Sequence, residues 1–174
     1  MRQELGEKQA LAESFAALAR LKLERSEPAA AEIDARHAVD AFSKDGRRAE
    51  EGQSTAYLAI ALLDQELVAE ARRTMGDARQ LGGDSQQFVI RFRFRFAEAR
   101  LAAAERQRGT ALKTLLDLDR EAAEAGFVAL AYEARLTRLA IEGGRSSGAL
   151  RALGEEAAAK GIGWIADKAE AALR

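Results

Sequence analysis

VIRFRFRF, residues 89–96, alternates apolar and basic side chains without a break. Strict alternation has the two-residue period of a half-buried strand, with one dry face and one cationic face. The same letters also fit a helix. At about 100° per residue, Phe88, Phe92, Phe96, Ala99 and Ala103 gather on one side. Ile90, Phe94, Ala97 and Leu101 gather on a second, roughly opposite side. Two narrow polar stripes separate them, Arg91, Arg95 and Glu98 on one, Arg93 and Arg100 on the other. A lone strand cannot satisfy its backbone hydrogen bonds, and no other stretch offers a strand to pair with. The helix reading therefore wins, and a helix with two apolar faces is one held between neighbours. Four of the seven phenylalanines fall within residues 88–96, which makes this helix the expected packing centre.

The rest of the chain agrees. It has 174 residues, 48% of them apolar and 32% charged, the balance of one globular domain. A single proline, Pro28, and no asparagine leave little for hairpin turns, whereas Ala, Leu, Glu and Arg favour helices. The expectation is an all-α protein. Arginine outnumbers lysine 21 to 6, which with the abundant alanine suggests a GC-rich bacterial coding sequence. The net charge of −1, with both signs interspersed, is not the basic footprint of a dedicated nucleic-acid binder. With no cysteine there are no disulfides, thiolate zinc sites or cysteine nucleophiles. No stretch has the length of a membrane span, and the charged start, MRQELGEKQ, is no signal peptide, so a cytoplasmic location is expected.

Glycines and capping residues punctuate nine helical segments. The first runs from about Gly6 to Arg25, with Leu11, Phe15, Leu18 and Ala19 at helical spacing. Ser26 is positioned to cap the second and Pro28 fits its first turn, and Asp45-Gly46 ends it. The third leads with little interruption into the fourth, which stops at Gly82-Gly83, and Asp84 or Ser85 caps the fifth. The sixth begins near Gly109-Thr110 and ends at Gly126, and the seventh starts at Phe127 and closes at Gly143-Gly144. Ser146 or Ser147 starts the eighth, which ends near Gly161, and a short ninth carries Trp164 and Ile165 to seal the last repeat.

Internal similarity organises these helices into pairs. Residues 29–42, 67–81, 108–122 and 146–161 align so that Ala31, Ala71 and Ala111 stand 40 apart and Ala149 follows 38 later. Ala38 and Ala78 repeat the small residue seven positions on. Small residues recurring at fixed spacing rebuild one close helix contact again and again, the mark of a stacked solenoid.

ALAESFAALARLKLERSEPAAAEIDARHAVDAF, residues 10–42, resembles a tetratricopeptide repeat. Phe15, Leu18 and Ala19 match packing positions of its first helix, and Ala31 and Ala38 the small positions of its second. Leu58, Ala59, Leu62, Ala71 and Ala78 repeat the match, which weakens afterwards. The period of about 40 exceeds the 34 of the family, and the helix-ending proline is missing. The resemblance implies a right-handed α-α superhelix of about four helical hairpins plus a C-terminal capping helix. The repeats would fall at roughly 6–46, 47–83, 84–126 and 127–161, the cap at 163–173, all in one domain, 1–174.

The family's function is implied with its fold: a scaffold binding a peptide or protein partner in the groove of the solenoid. Arg91, Arg93, Arg95 and Arg100 are the candidate partner-binding residues, suited to an acidic peptide or carboxylate. The plainer reading makes them solvated, with Arg95 paired to Glu98 and Arg93→Ala nearly without cost. Similar long repeats resemble the sensing modules of bacterial kinases and transcription regulators, and a helix beginning almost at Met1 suggests a piece of such a protein. A nucleic-acid-contacting repeat is the weaker alternative. Stacked repeats also leave open ends through which copies could associate. His37 is the only histidine and reads as a surface or packing residue, GRSSG (144–148) lacks the GK[ST] of a phosphate loop, and the carboxylates read as solvated faces. Neither an enzyme, a metal site nor a cofactor is expected.

Overall fold

A computed structural model describes residues 2–82 and 85–174, and the side chains of residues 2–8, 82, 144 and 145 are outside the description. Gly83 and Asp84, a proposed stop and a proposed cap, lie outside the described residues. The described residues are helices joined by short turns and, at 85–87, a short irregular link. The helices are α1 (Arg2–Glu24), α2 (Pro28–Lys44), α3 (Arg48–Asp64), α4 (Val68–Gly82), α5 (Phe88–Ala104), α6 (Arg108–Glu124), α7 (Val128–Glu142), α8 (Ser147–Ala159) and α9 (Gly163–Ala171). A 3₁₀ turn, Gly143–Ser146, lies between α7 and α8. VIRFRFRF is thus the first half of a helix.

From Pro28 to Val128 the helix starts fall every 20 residues, at 28, 48, 68, 88, 108 and 128. One turn design recurs in the joints. After α1 the Ser26 N–H donates to the Leu23 carbonyl (3.1 Å) and the Glu27 N–H to that of Lys22 (2.9 Å), with Ser26 at φ 60°. This paired bond with a left-handed residue is the Schellman motif, which satisfies carbonyls left over at a helix end. The same bonds form around Gly46, Glu66, Gly126 and Gly161. Ser26 therefore ends α1 and does not cap α2, whose cap position is Glu27. Glu66, likewise left-handed at φ 63°, makes a full stop between α3 and α4 where the sequence shows no glycine.

The chain forms two compact units, residues 1–104 and 105–174. In the first, α2 packs on α1 and α3, α4 on α3 and α5, and α3 also on α1 and α5. Arg48, the first residue of α3, donates to the Gln80 carbonyl at the end of α4 (3.1 Å), so these neighbours run antiparallel. Tyr57 and Asp64 of α3 meet Arg93 and Arg100 of α5, so alternate helices run parallel. Ala12, Ala19, Ala31, Ala38, Ala59, Ala71 and Ala78 are completely buried, which lets helix axes approach closely. The packing centre is α3 and not α5: every residue from Ser54 through Leu62 is buried. Ser54 and Thr55 hydroxyls donate back to the Glu50 and Glu51 carbonyls (2.9 and 2.8 Å), so burying them leaves no unmet donor.

In the second unit α6 packs on α7, α8 on α9, and α7 on both α8 and α9. Arg108 at the start of α6 donates to the Glu142 carbonyl at the end of α7 (2.9 Å), the same antiparallel tie as Arg48 makes. Ala111 is buried as the alignment requires, but Ala149 is exposed and Leu150 lies inward instead. Ala31, Ala71 and Ala111 are each the fourth residue of their helix, as Leu150 is of α8, whereas Ala149 is the third, and one residue rotates a helical side chain by about 100°. Ile165 is fully buried and Trp164 partly so, with Lys168 over its ring.

Candidate functional site

The four arginines of α5 have separate environments. Both apolar faces of the helix are inside: Phe92, Phe96 and Ala99 on one, Ile90, Phe94, Ala97 and Leu101 on the other. Arg93 is buried with them, only 3% exposed, against the expectation of a solvated stripe. Its guanidinium lies over the rings of Tyr57 (5.1 Å), Phe96 (5.5 Å) and Phe92 (5.7 Å). Arginine is weakly hydrated and stacks on aromatic faces, so it can occupy a position where a lysine would demand water. The stripe Arg93 shares with Arg100 is turned toward α3, where Arg100 meets Asp64 at 2.5 Å. Arg91 and Arg95 are half-buried, the former donating to the Gln86 carbonyl (3.2 Å) with its head over Phe88. Glu98 accepts from Arg79 of α4 at 2.6 Å. The sequence placed these arginines on one helix, but the fold gives them no common outward-facing surface.

The open apolar surface is at the α1–α2 hairpin. Leu11 is 54% exposed, Leu18 42% and Ile33 57%, although the first two read as packing residues. Phe15 is half-buried, and its ring meets that of the exposed His37 with centroids 4.9 Å apart. Leu11, Phe15, His37, Asp40, Ala41, Lys44 and Asp45 line an open groove of about 520 Å³. Lys44 and Asp40 pair along its rim at 2.6 Å. Lys22 meets the buried Asp34 at 2.5 Å, tying α1 to α2. Arg47 ties α1 to the start of α3, donating to Glu13 (2.8 Å) and Glu50 (2.7 Å) while lying over Phe42. Those two carboxylates raise its pKa further.

The second unit carries a denser polar cluster. Arg135 of α7 makes a forked pair to the buried Asp119 of α6, both bonds 2.9 Å, which raises its pKa. The Tyr132 hydroxyl donates to Glu156 of α8, which with Lys160 (3.2 Å) holds the Glu156 carboxyl below the usual range. These groups satisfy one another across three helices, which is a fastening and not a vacancy for a ligand. Glu142, its pKa lowered first by the Ser146 hydroxyl and then by Arg138, fastens the end of α7 in the same way.

Among the described residues no three His, Asp or Glu side chains are grouped to hold a metal ion. Nor is any described helix long and apolar enough to cross a membrane. The Leu11 and Leu18 surface was missed because helical spacing marks an apolar face without saying whether anything covers it. A comparison of α1 with α3 at the 40-residue period holds the missing signal: positions 11 and 51 are leucine and glutamate. No protein-family model matches this chain, and no curated protein and no solved structure matches it significantly.

Proposed function

We propose that this chain is a protein-interaction module of tetratricopeptide-like hairpins, which engages a protein partner along the open side of α1–α2. The observation that carries this reading is the exposure of Leu11, Leu18 and Ile33 on α1 and α2, with Leu11 and Phe15 lining the groove between these helices. Isolated exposed leucines are ordinary, but a run of them bordering a groove between two helices suits an apolar partner surface. The repeat reading is supported by the order of packing in the first unit, where each second helix lies between the first helices of its own and the following hairpin. The arginines of α5 contribute less, because Arg93 is buried and Arg100 is already paired.

The test compares wild type with a Leu11→Glu, Leu18→Glu double variant and an Arg91→Glu, Arg95→Glu double variant. Each is used as bait in nuclease-treated lysate of the host cell after circular dichroism has shown its fold intact. A protein captured by wild type and by the arginine variant, but lost with the leucine variant, supports the α1–α2 surface. Loss only with the arginine variant would return binding to α5, and capture by all three would place it elsewhere.

A further inference from the structure

The helices of the second unit are tied to one another in two different ways. Between α6 and α7 the tie is buried: Arg135 is forked onto Asp119, whose side chain is 11% exposed. Between α7 and α8 the tie lies at the surface. Glu156 accepts from the Tyr132 hydroxyl and stands 4.0 Å from Arg135 and 3.2 Å from Lys160, yet its side chain is 47% exposed. Lys160 and Arg135 both lie over the Tyr132 ring, at 5.5 and 5.4 Å. Asp119, Arg135 and Tyr132 thus form a receiving half fixed on α6 and α7, and α8 brings Glu156 and Lys160 to it.

The two joints around α8 also differ. α8 packs chiefly against α9 and, less, against α7. Gly154 of α8 is so near α9 that a Cβ on it would stand 3.3 Å from the Ala169 Cβ. Between these helices lies the Schellman turn at Gly161, in which the Ile162 N–H donates to the Ala157 carbonyl (2.9 Å). Close packing and a closed turn make α8–α9 one body. The joint before α8 is a 3₁₀ turn entered through Gly143 at φ 74°, ψ −152°, a region open essentially to glycine alone. Ser146 pins that joint by donating to Glu142 (2.8 Å). Tyr132 is near the start of α7 and Glu156 near the end of α8, so the surface tie holds the end of the hairpin farthest from the joint.

We propose that α8–α9 is a flap that opens as one body about the Gly143 turn, with Glu156 the positioning residue that holds it shut on α7. Half-exposed ion pairs hold weakly and are screened by salt, whereas a hydroxyl donated to a carboxylate is one of the stronger hydrogen bonds. The Tyr132–Glu156 bond is therefore the part of the seam that a single substitution releases. Opening uncovers the Tyr132 ring, 3% exposed in the closed state. Asp119 keeps Arg135 in place meanwhile, so the receiving half stays ready for reclosure. Local opening of this kind is the ordinary behaviour of a unit attached through few contacts.

Native-state hydrogen exchange of the full chain, read peptide by peptide by mass spectrometry, tests this. In Glu156→Ala and in Tyr132→Phe the amides of α8 and α9 should exchange at least about tenfold faster than in wild type, as expected for a lost hydrogen bond to a charged group. Those of α6 and α7 should keep their wild-type rates. Alanine favours helix, so the first substitution does not weaken α8 itself. Glu155→Ala, at the exposed neighbouring position, should exchange as wild type does. Added salt should speed exchange in α8–α9 of wild type and do so less in Glu156→Ala, a response that an apolar seam would not give. Unchanged α8–α9 rates in both variants would overturn the proposal. So would acceleration spread evenly from α6 to α9, which would mean that the unit opens only as a whole. If Glu156→Ala does not fold, Tyr132→Phe and the wild-type salt response decide in the same way.

Discussion

Leu18 and Leu58 are the same residue at the same point of successive repeats, 42% exposed in α1 and 7% in α3. The helix around Leu58 is surrounded by α1, α2, α4 and α5, whereas among the described residues α1 packs chiefly against α2 and, less, against α3. Identical local chemistry thus has a structural role in one place and an open surface in the other, decided by what lies across from it. Energetically the difference is the burial term, about 1.5–3 kcal/mol for a leucine fully removed from water.

Charge placed at the two leucines is the sharpest way to break this comparison. Leu58→Asp should leave a carboxylate in the most enclosed helix and cost at least about 4 kcal/mol in denaturant unfolding, enough to prevent folding of a marginal domain. Leu18→Asp should shift stability by only about 0.5 kcal/mol measured well below any self-association. Equal losses at the two sites would sink the contrast.

Within α5 the same logic separates three neighbours. Phe92→Ala should cost about 3–5 kcal/mol, since a fully buried ring leaves a cavity among close-packed helices. Arg93→Ala should cost about 2 kcal/mol, because its guanidinium lies desolvated over three rings. Arg91→Ala, half-exposed, should stay near 0.5 kcal/mol. An Arg93 variant as stable as the Arg91 variant would restore the solvated stripe.

The turns allow a comparison in which no side-chain contact changes. Gly126 has φ 80° and a Cβ there would meet nothing within 4 Å, so Gly126→Ala tests backbone conformation alone and should cost about 1 kcal/mol. Arg106, at φ 65° in the corresponding joint before α6, should gain up to about 1 kcal/mol on conversion to glycine, read as a raised Tm.

The smallest effect is the response to acid. Glu32 is held below the ordinary carboxyl value of 4.5 by hydrogen bonds from Arg36 first and Gln65 second. A depressed folded value contributes stability that is complete above 4.5 and is lost as pH falls through the folded pKa. Comparing Tm at neutral pH and at pH about 3, Glu32→Gln should show a shallower loss than wild type. An identical slope would mean that the α2–α3 tie through Gln65 adds nothing.

How much of this was legible beforehand depended on whether the signal was local. Glycine stops at 46, 126, 143 and 161, the helical fit of residues 88–104 and the buried alanines at 31, 71 and 111 all follow from residue type and spacing. The joints at Ser26, Glu66 and Arg106 were harder, because non-glycine residues adopt a left-handed conformation there. Ser26 looked like a helix cap, and the stop at Glu66 gave no signal at all. The exposure of Ala149 follows from α8 starting at Ser147, a detail of backbone geometry and not of composition.

The sequence by itself determined that this protein is helical, where most of its helices end, and which side chains share a helical face. Those properties arise from backbone propensity and a 3.6-residue period, both short-range. Only the tertiary structure decided that Arg93 lies under aromatic rings, that α3 and not α5 is the enclosed helix, and that Leu11 and Leu18 face outward. Burial is a property of what meets a face, and the helix across from it is brought there by residues distant in the chain.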